Sequence, residues 1–282
     1  WTAAAQAPPE KARATPPSEL TVDEEFDPPV SDPAFPHGTG PRIVVDERHR
    51  NVVSLASYMR PVGRFLEKDG YVLRRGTSAF DKTSLADAGI VVIANAQGPE
   101  GAPAGTQAFP DQEVKALERW VKAGGGLLLI ADRAPFGEPA RSLARAFGAT
   151  PDNNTILMKG EDGKPTGVLT IDIASNGDPK HPIFSGVSQV IYVVGESLSG
   201  PGAILKAPRG TYSGPTAQAT QGPPAGGKPL VLAFAYGSGR VIVIGDAGIA
   251  SAFGSVGGQA HRGISEADNA QFVRNVVRWL AR

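Results

Sequence analysis

From residue 42 onward the sequence alternates short, continuous apolar runs with stretches of helical periodicity, and few architectures accept that alternation. The runs "RIVVD" (42–46), "GIVVIAN" (89–95), "LLLIAD" (127–132) and "VIVIGDA" (241–247) are too short for helices and apolar on consecutive positions. They suit strands buried on both faces. "YVLRR" (71–75) is a further strand. Between them, "SLASYMRPVGRFLEKDG" (54–70) reads as a helix with Ser54 as N-cap, Gly70 as its stop and a kink at Pro61. "FPDQEVKALERWVKAGGG" (109–126) repeats Val114, Leu117, Trp120 and Val121 at helical spacing, which predicts Trp120 as a core residue. "EPARSLARAFG" (138–148) is another helix. The closing "SEADNAQFVRNVVRWLAR" (265–282) carries an apolar stripe with Phe272, and Ser265 with Asp268 as a capping box. The predicted fold class is α/β, with a mainly parallel sheet covered by helices on both faces.

Two regions break the pattern. Residues 150–229 hold "TILMK", "GVLTIDI", "QVIYVVG" and "AILKA" with no helix between them, which predicts an antiparallel insertion. "PLVLAFAYGSGRVIVIGDA" (229–247) then reads as a hairpin around Gly-Ser-Gly. Residues 1–41 are dense in proline and read as an extended, loosely packed tail before a single domain over 42–282. The first residue is Trp1, which fits a cleaved signal peptide or a trimmed start. The corresponding expectation is a periplasmic or secreted bacterial protein, tethered through the tail.

Composition narrows the function. Lys plus Arg and Asp plus Glu are 28 each, so no positive field points to nucleic acid. No apolar run approaches a membrane span. The absence of cysteine removes disulfides, thiolate metal sites and thiol nucleophiles together. There is no Gly-Lys-Ser/Thr phosphate loop, no Gly-x-Ser-x-Gly elbow and no His-Glu-x-x-His. Ser251, Ser255 and His261 share a Gly/Ser loop that fixes no triad, and His181 sits in a turn before a proline.

The polar residues fall at the ends of the apolar runs: Asp46, Asn95, Asp132 and Asp246, with His49 and Asn51 following the first and Asn269 opening the last helix. In parallel sheets ligands bind at the carboxyl ends of strands, so these seven residues form the candidate ligand site. Three carboxylates with a histidine could hold Mg²⁺ or Ca²⁺, or hydrogen-bond a small polar ligand. His49 could act as a general base oriented by Asp46 or Asp132. Against this stands a simpler role, because Asp and Asn also gather where strands give way to turns and bond the local backbone.

Four pieces, "VDERHRN", "EVKALERWVKAGGGLLLIADRAPFG", "GRVIVIGDAGIAS" and "DNAQFVRNVVRWL", together resemble the class I glutamine amidotransferase-like superfamily. The nearest resemblance is to its exported bacterial members, which share features with the auxiliary component of gliding-motility transporters. It covers residues 42–149 and 228–282. It implies a flavodoxin-like three-layer sandwich. The superfamily's amidotransferases carry a cysteine on the turn after a strand, where this chain has Asp132-Arg133-Ala134, so glutaminase chemistry by that route is excluded. Two functions follow as expectations. One is a non-catalytic exported domain that binds a polar ligand or a protein partner. The other is a hydrolase acting on a carbohydrate-type substrate through the Asp/His rim.

Overall fold

The computed structural model describes residues 20–255 and 262–282. His261 therefore lies outside the described residues.

Seven strands build the central sheet: β1 (Arg42–Asp46), β2 (Val72–Gly76), β3 (Ile90–Ala94), β4 (Gly126–Ile130), β5 (Ala203–Lys206), β6 (Pro229–Tyr236) and β7 (Gly239–Ile244). Their spatial order is β5-β6-β7-β4-β3-β1-β2. β2, β1, β3, β4 and β7 run parallel. β6 pairs antiparallel with β7 as the hairpin read from the sequence, and β5 pairs antiparallel with β6 at the edge.

Consecutive side chains on the inner parallel strands β1, β3, β4 and β7 enter opposite cores, which is why the middle of each is continuously apolar, whereas the edge strand β2 carries Arg74 and Arg75. Ile43, Ile90, Leu128 and Ile242 lie in one cluster. Val44, Val91, Leu127 and Val241 lie in the other. Helices α1 (Arg60–Lys68) and α4 (Asn269–Leu280) cover the first face, with Phe65 and the fully buried Phe272 packed inward. Helices α2 (Asp111–Lys122) and α3 (Arg141–Ala146) cover the second through Leu117 and Leu143.

The insertion is antiparallel where it is paired. Val168–Asp172 zips to Gln189–Val193, and Thr155–Lys159 to Tyr212–Gly214. "AILKA" differs from its neighbours in that it extends the central sheet as β5.

Several local expectations need correction. α1 starts at Arg60 and not at Ser54, because residues 54–59 are held in turns by the Ser57 hydroxyl, which donates to Val52 O at 2.9 Å. Pro61 then occupies the first turn, where its missing N–H leaves no bond unmade, and it introduces no kink. The capping box does not form. Asp268 turns away from its own helix and accepts hydrogen bonds from the Ser188 backbone, the Ser188 hydroxyl and the Gln189 backbone. Trp120 is half-buried, at the rim of its core and not inside it.

The second half of the tail is not loose. Leu20–Val22 pairs as a strand with Ala252–Ser255. Phe26 is buried edge-on against Phe65, with ring centroids 5.7 Å apart. The fully buried Asp69 accepts from Ala34 N at 3.0 Å, from Arg274 Nε at 3.0 Å and from Arg278 Nε at 2.9 Å, which pins the tail to α4. Proline density excluded helix in this segment but carried no information about these side-chain anchors.

Candidate functional site

β1 and β3 are adjacent, but the chain leaves β1 toward β2 on one side and returns to β3 on the other. The loops after them part at the carboxyl edge and open a crevice there. Arg50, Gln97 and Gly98, Pro103 and, from the loop after β4, Pro135 and Phe136 line a cleft of about 350 Å³ at this point. Arg50 holds a left-handed backbone at φ 51°, and its guanidinium donates to Gly98 O at 3.0 Å, which ties the two loops together. The Arg133 guanidinium lies over the Phe136 ring. The walls are otherwise small residues, proline and backbone.

Behind the cleft the expected polar residues fall into two groups. In the first, Asp46 is fully buried at the end of β1 and accepts from Arg48 N at 3.1 Å, His49 Nδ1 at 2.9 Å and Asn51 Nδ2 at 2.6 Å. His49 is only 7% exposed. Its Nε2 lies 3.2 Å from Glu113 Oε2, and its ring is stacked on Phe80 and tilted against Phe109. Burial lowers the imidazole pKa, but Asp46 and Glu113 together outweigh it and raise the pKa above its ordinary value. Both ring nitrogens face carboxylates, so no nitrogen is left to act on a ligand. Asn51 Oδ1 accepts from Ala94 N at 2.8 Å, which locks this group to the end of β3.

In the second group, Asn95 adopts φ 57° and its Oδ1 accepts from Asp132 N at 3.1 Å. Asp132 accepts from its neighbour Arg133 N at 2.6 Å. Asp246, fully buried, accepts from Gly248 N at 2.6 Å and from Val193 N at 2.7 Å, joining the insertion to β7. Burial pushes the Asp132 pKa up to about 6, against the pull of Arg133. Burial raises Asp246 further, and the nearby Asp132 adds to it.

A third buried acid joins them from the insertion. Glu196 is fully buried, and its Oε2 accepts from Asn153 N. Its Oε1 has no partner and lies against Gly137, where a Cβ would not fit. Burial pushes its pKa up to about 9; the Asn153 bond opposes this, and Asp132 and Asp152 add to it. Three carboxyl groups thus share one low-dielectric region, with Arg133 as the nearest cation. Clustered in this way each is disfavoured as an anion, Glu196 and Asp246 most strongly.

Asn269 stands apart. Its amide bridges Ile191 N and O and Gly263 O, fastening α4 to the insertion. The structure therefore brings Asp46, His49 and Asn51 together, brings Asn95, Asp132 and Asp246 together, and gives Asn269 a different task. Glu113 and Glu196 were not visible as site residues in the sequence. Glu113 sits in the first turn of α2, where an acid is expected for the helix alone. Glu196 follows a strand whose sequence carries no signal that the chain returns to the carboxyl end of β7. Among the described residues no three His, Asp or Glu side chains are arranged to hold a metal ion.

No protein-family model matches the chain, and no curated protein matches it. Among solved structures it is similar to the mmIFT52 N-terminal domain, with a TM-score of 0.64 and 14% identity over 85% of this chain and 97% of that one. It is also similar to a ThuA-like protein from Parabacteroides merdae, with a TM-score of 0.46 and 15% identity over 86% and 89%. A beta-galactosidase from Bacillus circulans gives a TM-score of 0.40 and 10% identity, over 85% of this chain and 30% of the enzyme. At 14% identity the first of these shows a shared fold and nothing about activity.

Proposed function

We propose that this chain is a non-catalytic binding or assembly domain on a glutamine amidotransferase-like scaffold. The five parallel strands stand in the order β2-β1-β3-β4-β7, which supports a flavodoxin-like sandwich with its ligand crevice between β1 and β3. One observation carries the functional reading. Each acid at the carboxyl edge is turned into the fold: Asp46 onto Arg48 N, Asp132 onto Arg133 N and Asp246 onto Gly248 N and Val193 N. What faces the cleft instead is Arg50, Gln97, Phe136 and backbone, a surface suited to holding a small polar ligand or a partner's loop.

The hydrolase reading keeps one supporting observation. Asp132 and Glu196 are two neighbouring acids with pKa values of about 6 and about 9, the kind of separation an acid–base pair needs. Both are closed off from solvent, Glu196 fully and Asp132 at 5% exposure, so a substrate has no path to them. The test pairs binding with turnover. Thermal unfolding in the presence of monosaccharides, amino acids and dicarboxylates should reveal a ligand whose stabilisation disappears in Arg50→Ala and Phe136→Ala. Hydrolysis of nitrophenyl glycosides, nitrophenyl acetate or glutamine that vanishes in Asp132→Asn would overturn the reading.

A further inference from the structure

At the opposite, amino edge of the sheet the structure carries a second feature that the cleft does not use. Ala116 and Trp120 stand one turn apart on α2 and face Leu85 and Ala86 of the loop before β3. Between them lies a groove of about 580 Å³ whose walls are mainly apolar. Periodicity assigns Trp120 to the core, yet its indole is half-buried and lines this groove. The ring is seated on the chain at Gly125, where a Cβ would come within 2.5 Å of the ring carbons. Trp120 is thus held in place by its backbone contact and by the rim of the core, and presents its remaining face to the groove, the arrangement of a preformed anchor.

The charged side chains that line the groove are both cationic. Lys82 and Arg119 line it, both exposed, and neither has an ion-pair partner among the described residues. The nearby acids are turned to partners other than Lys82 and Arg119. Asp81 accepts from Thr83 N and Ser84 N, Asp87 pairs with Arg42 and Arg74, and Glu118 accepts from the Tyr236 hydroxyl. An apolar floor with an aromatic anchor and two exposed cations free of ion pairs among the described residues is complementary to an apolar side chain flanked by carboxylates. We propose that this groove docks an acidic, amphipathic segment of a partner protein. It shares no residue with the carboxyl-edge cleft, so the two proposals stand or fall separately.

The test uses the full chain and a short helical peptide with leucine and phenylalanine one turn apart between glutamates. Its control has lysines in place of the glutamates. Calorimetry should show binding of the acidic peptide only, weakening as salt is raised. Trp120→Ala should weaken it about tenfold or more, and the double variant Lys82→Glu, Arg119→Glu, which changes only exposed side chains, should do the same. Equal binding of both peptides, binding of neither, or an unchanged affinity in the double variant overturns the proposal. So does sedimentation that shows a Trp120-dependent dimer in place of peptide binding, because the occupant would then be a second copy of this chain.

Discussion

Replacing Glu196 by Gln should make the stability of this protein cross that of the parent as pH rises. Burial, with lesser help from Asp132 and Asp152, holds the Glu196 pKa at about 9 in the folded chain. In the unfolded chain it returns to about 4.3. Its folded pKa is raised, so its favourable contribution is complete below pH 4 and is lost as pH climbs toward 9. At about 1.4 kcal/mol per pH unit, the loss reaches about 3–4 kcal/mol at pH 7 and about 6 kcal/mol at pH 9. Glutamine has no proton to lose and avoids this. It keeps the oxygen that accepts from Asn153 N but places an amide beside Gly137, where Oε1 has no partner. That mismatch costs about 1–3 kcal/mol at every pH. Denaturant unfolding should therefore find Glu196→Gln less stable than the parent by about 1 kcal/mol at pH 5 and more stable by about 3–5 kcal/mol at pH 9. Asp132 titrates near 6 in both proteins, because Glu196 is still neutral there. Parallel stability curves for the two proteins would refute the protonated, buried state assigned to Glu196.

Three further outcomes are expected. Asp69→Asn removes the carboxylate that pairs with Arg274 and Arg278, and chemical denaturation should show a loss of about 3–5 kcal/mol. Burial raises the Asp69 pKa, but the two arginines and Ala34 N overcome this and lower it; its stabilising contribution is thus present at neutral pH and fades in acid, a trend the variant should lack. Phe26→Ala should cost about 3 kcal/mol, and truncation to Pro41 more; a melting temperature unchanged by truncation would show the tail to be a mere linker. Phe272→Ala should cost about 3–5 kcal/mol in thermal or urea unfolding, whereas Trp120→Ala, being half exposed, should cost less than half as much.

The parallel strands were legible because burial on both faces leaves a sequence signature that loops cannot copy. "RIVVD", "GIVVIAN", "LLLIAD" and "VIVIGDA" all became central strands, each with its polar residue at the carboxyl edge. The crevice followed from topology. The pairing of the polar residues did not, since it depends on which loop folds over which. Nothing in "VVGES" signals that Glu196 returns to the carboxyl end of β7, and nothing in "LEKDGY" distinguishes Asp69 from an ordinary surface acid at a helix end. α1 began late because Ser54 bonds within a turn as readily as it caps a helix, a local competition that sequence spacing does not resolve. Trp120 illustrates a further limit. Helical periodicity gives the face on which a residue lies, but not how far the neighbouring loop extends to cover it.

The central claim is that the carboxylates at the strand ends serve the fold, and Asp46 tests it most directly. Its oxygens accept from the Arg48 backbone, the His49 ring and the Asn51 amide. An asparagine in its place can offer only one oxygen and would turn its own N–H groups toward donors. Structural acids lose stability on such a change, whereas groups held for chemistry are often a strain on the fold and are replaced without loss. The decisive measurement is the unfolding free energy of Asp46→Asn, taken with the His49 titration followed by NMR. The account predicts a loss of about 2 kcal/mol and a lower His49 pKa. An Asp46→Asn protein as stable as the parent, or more so, with His49 titrating unchanged, would contradict it.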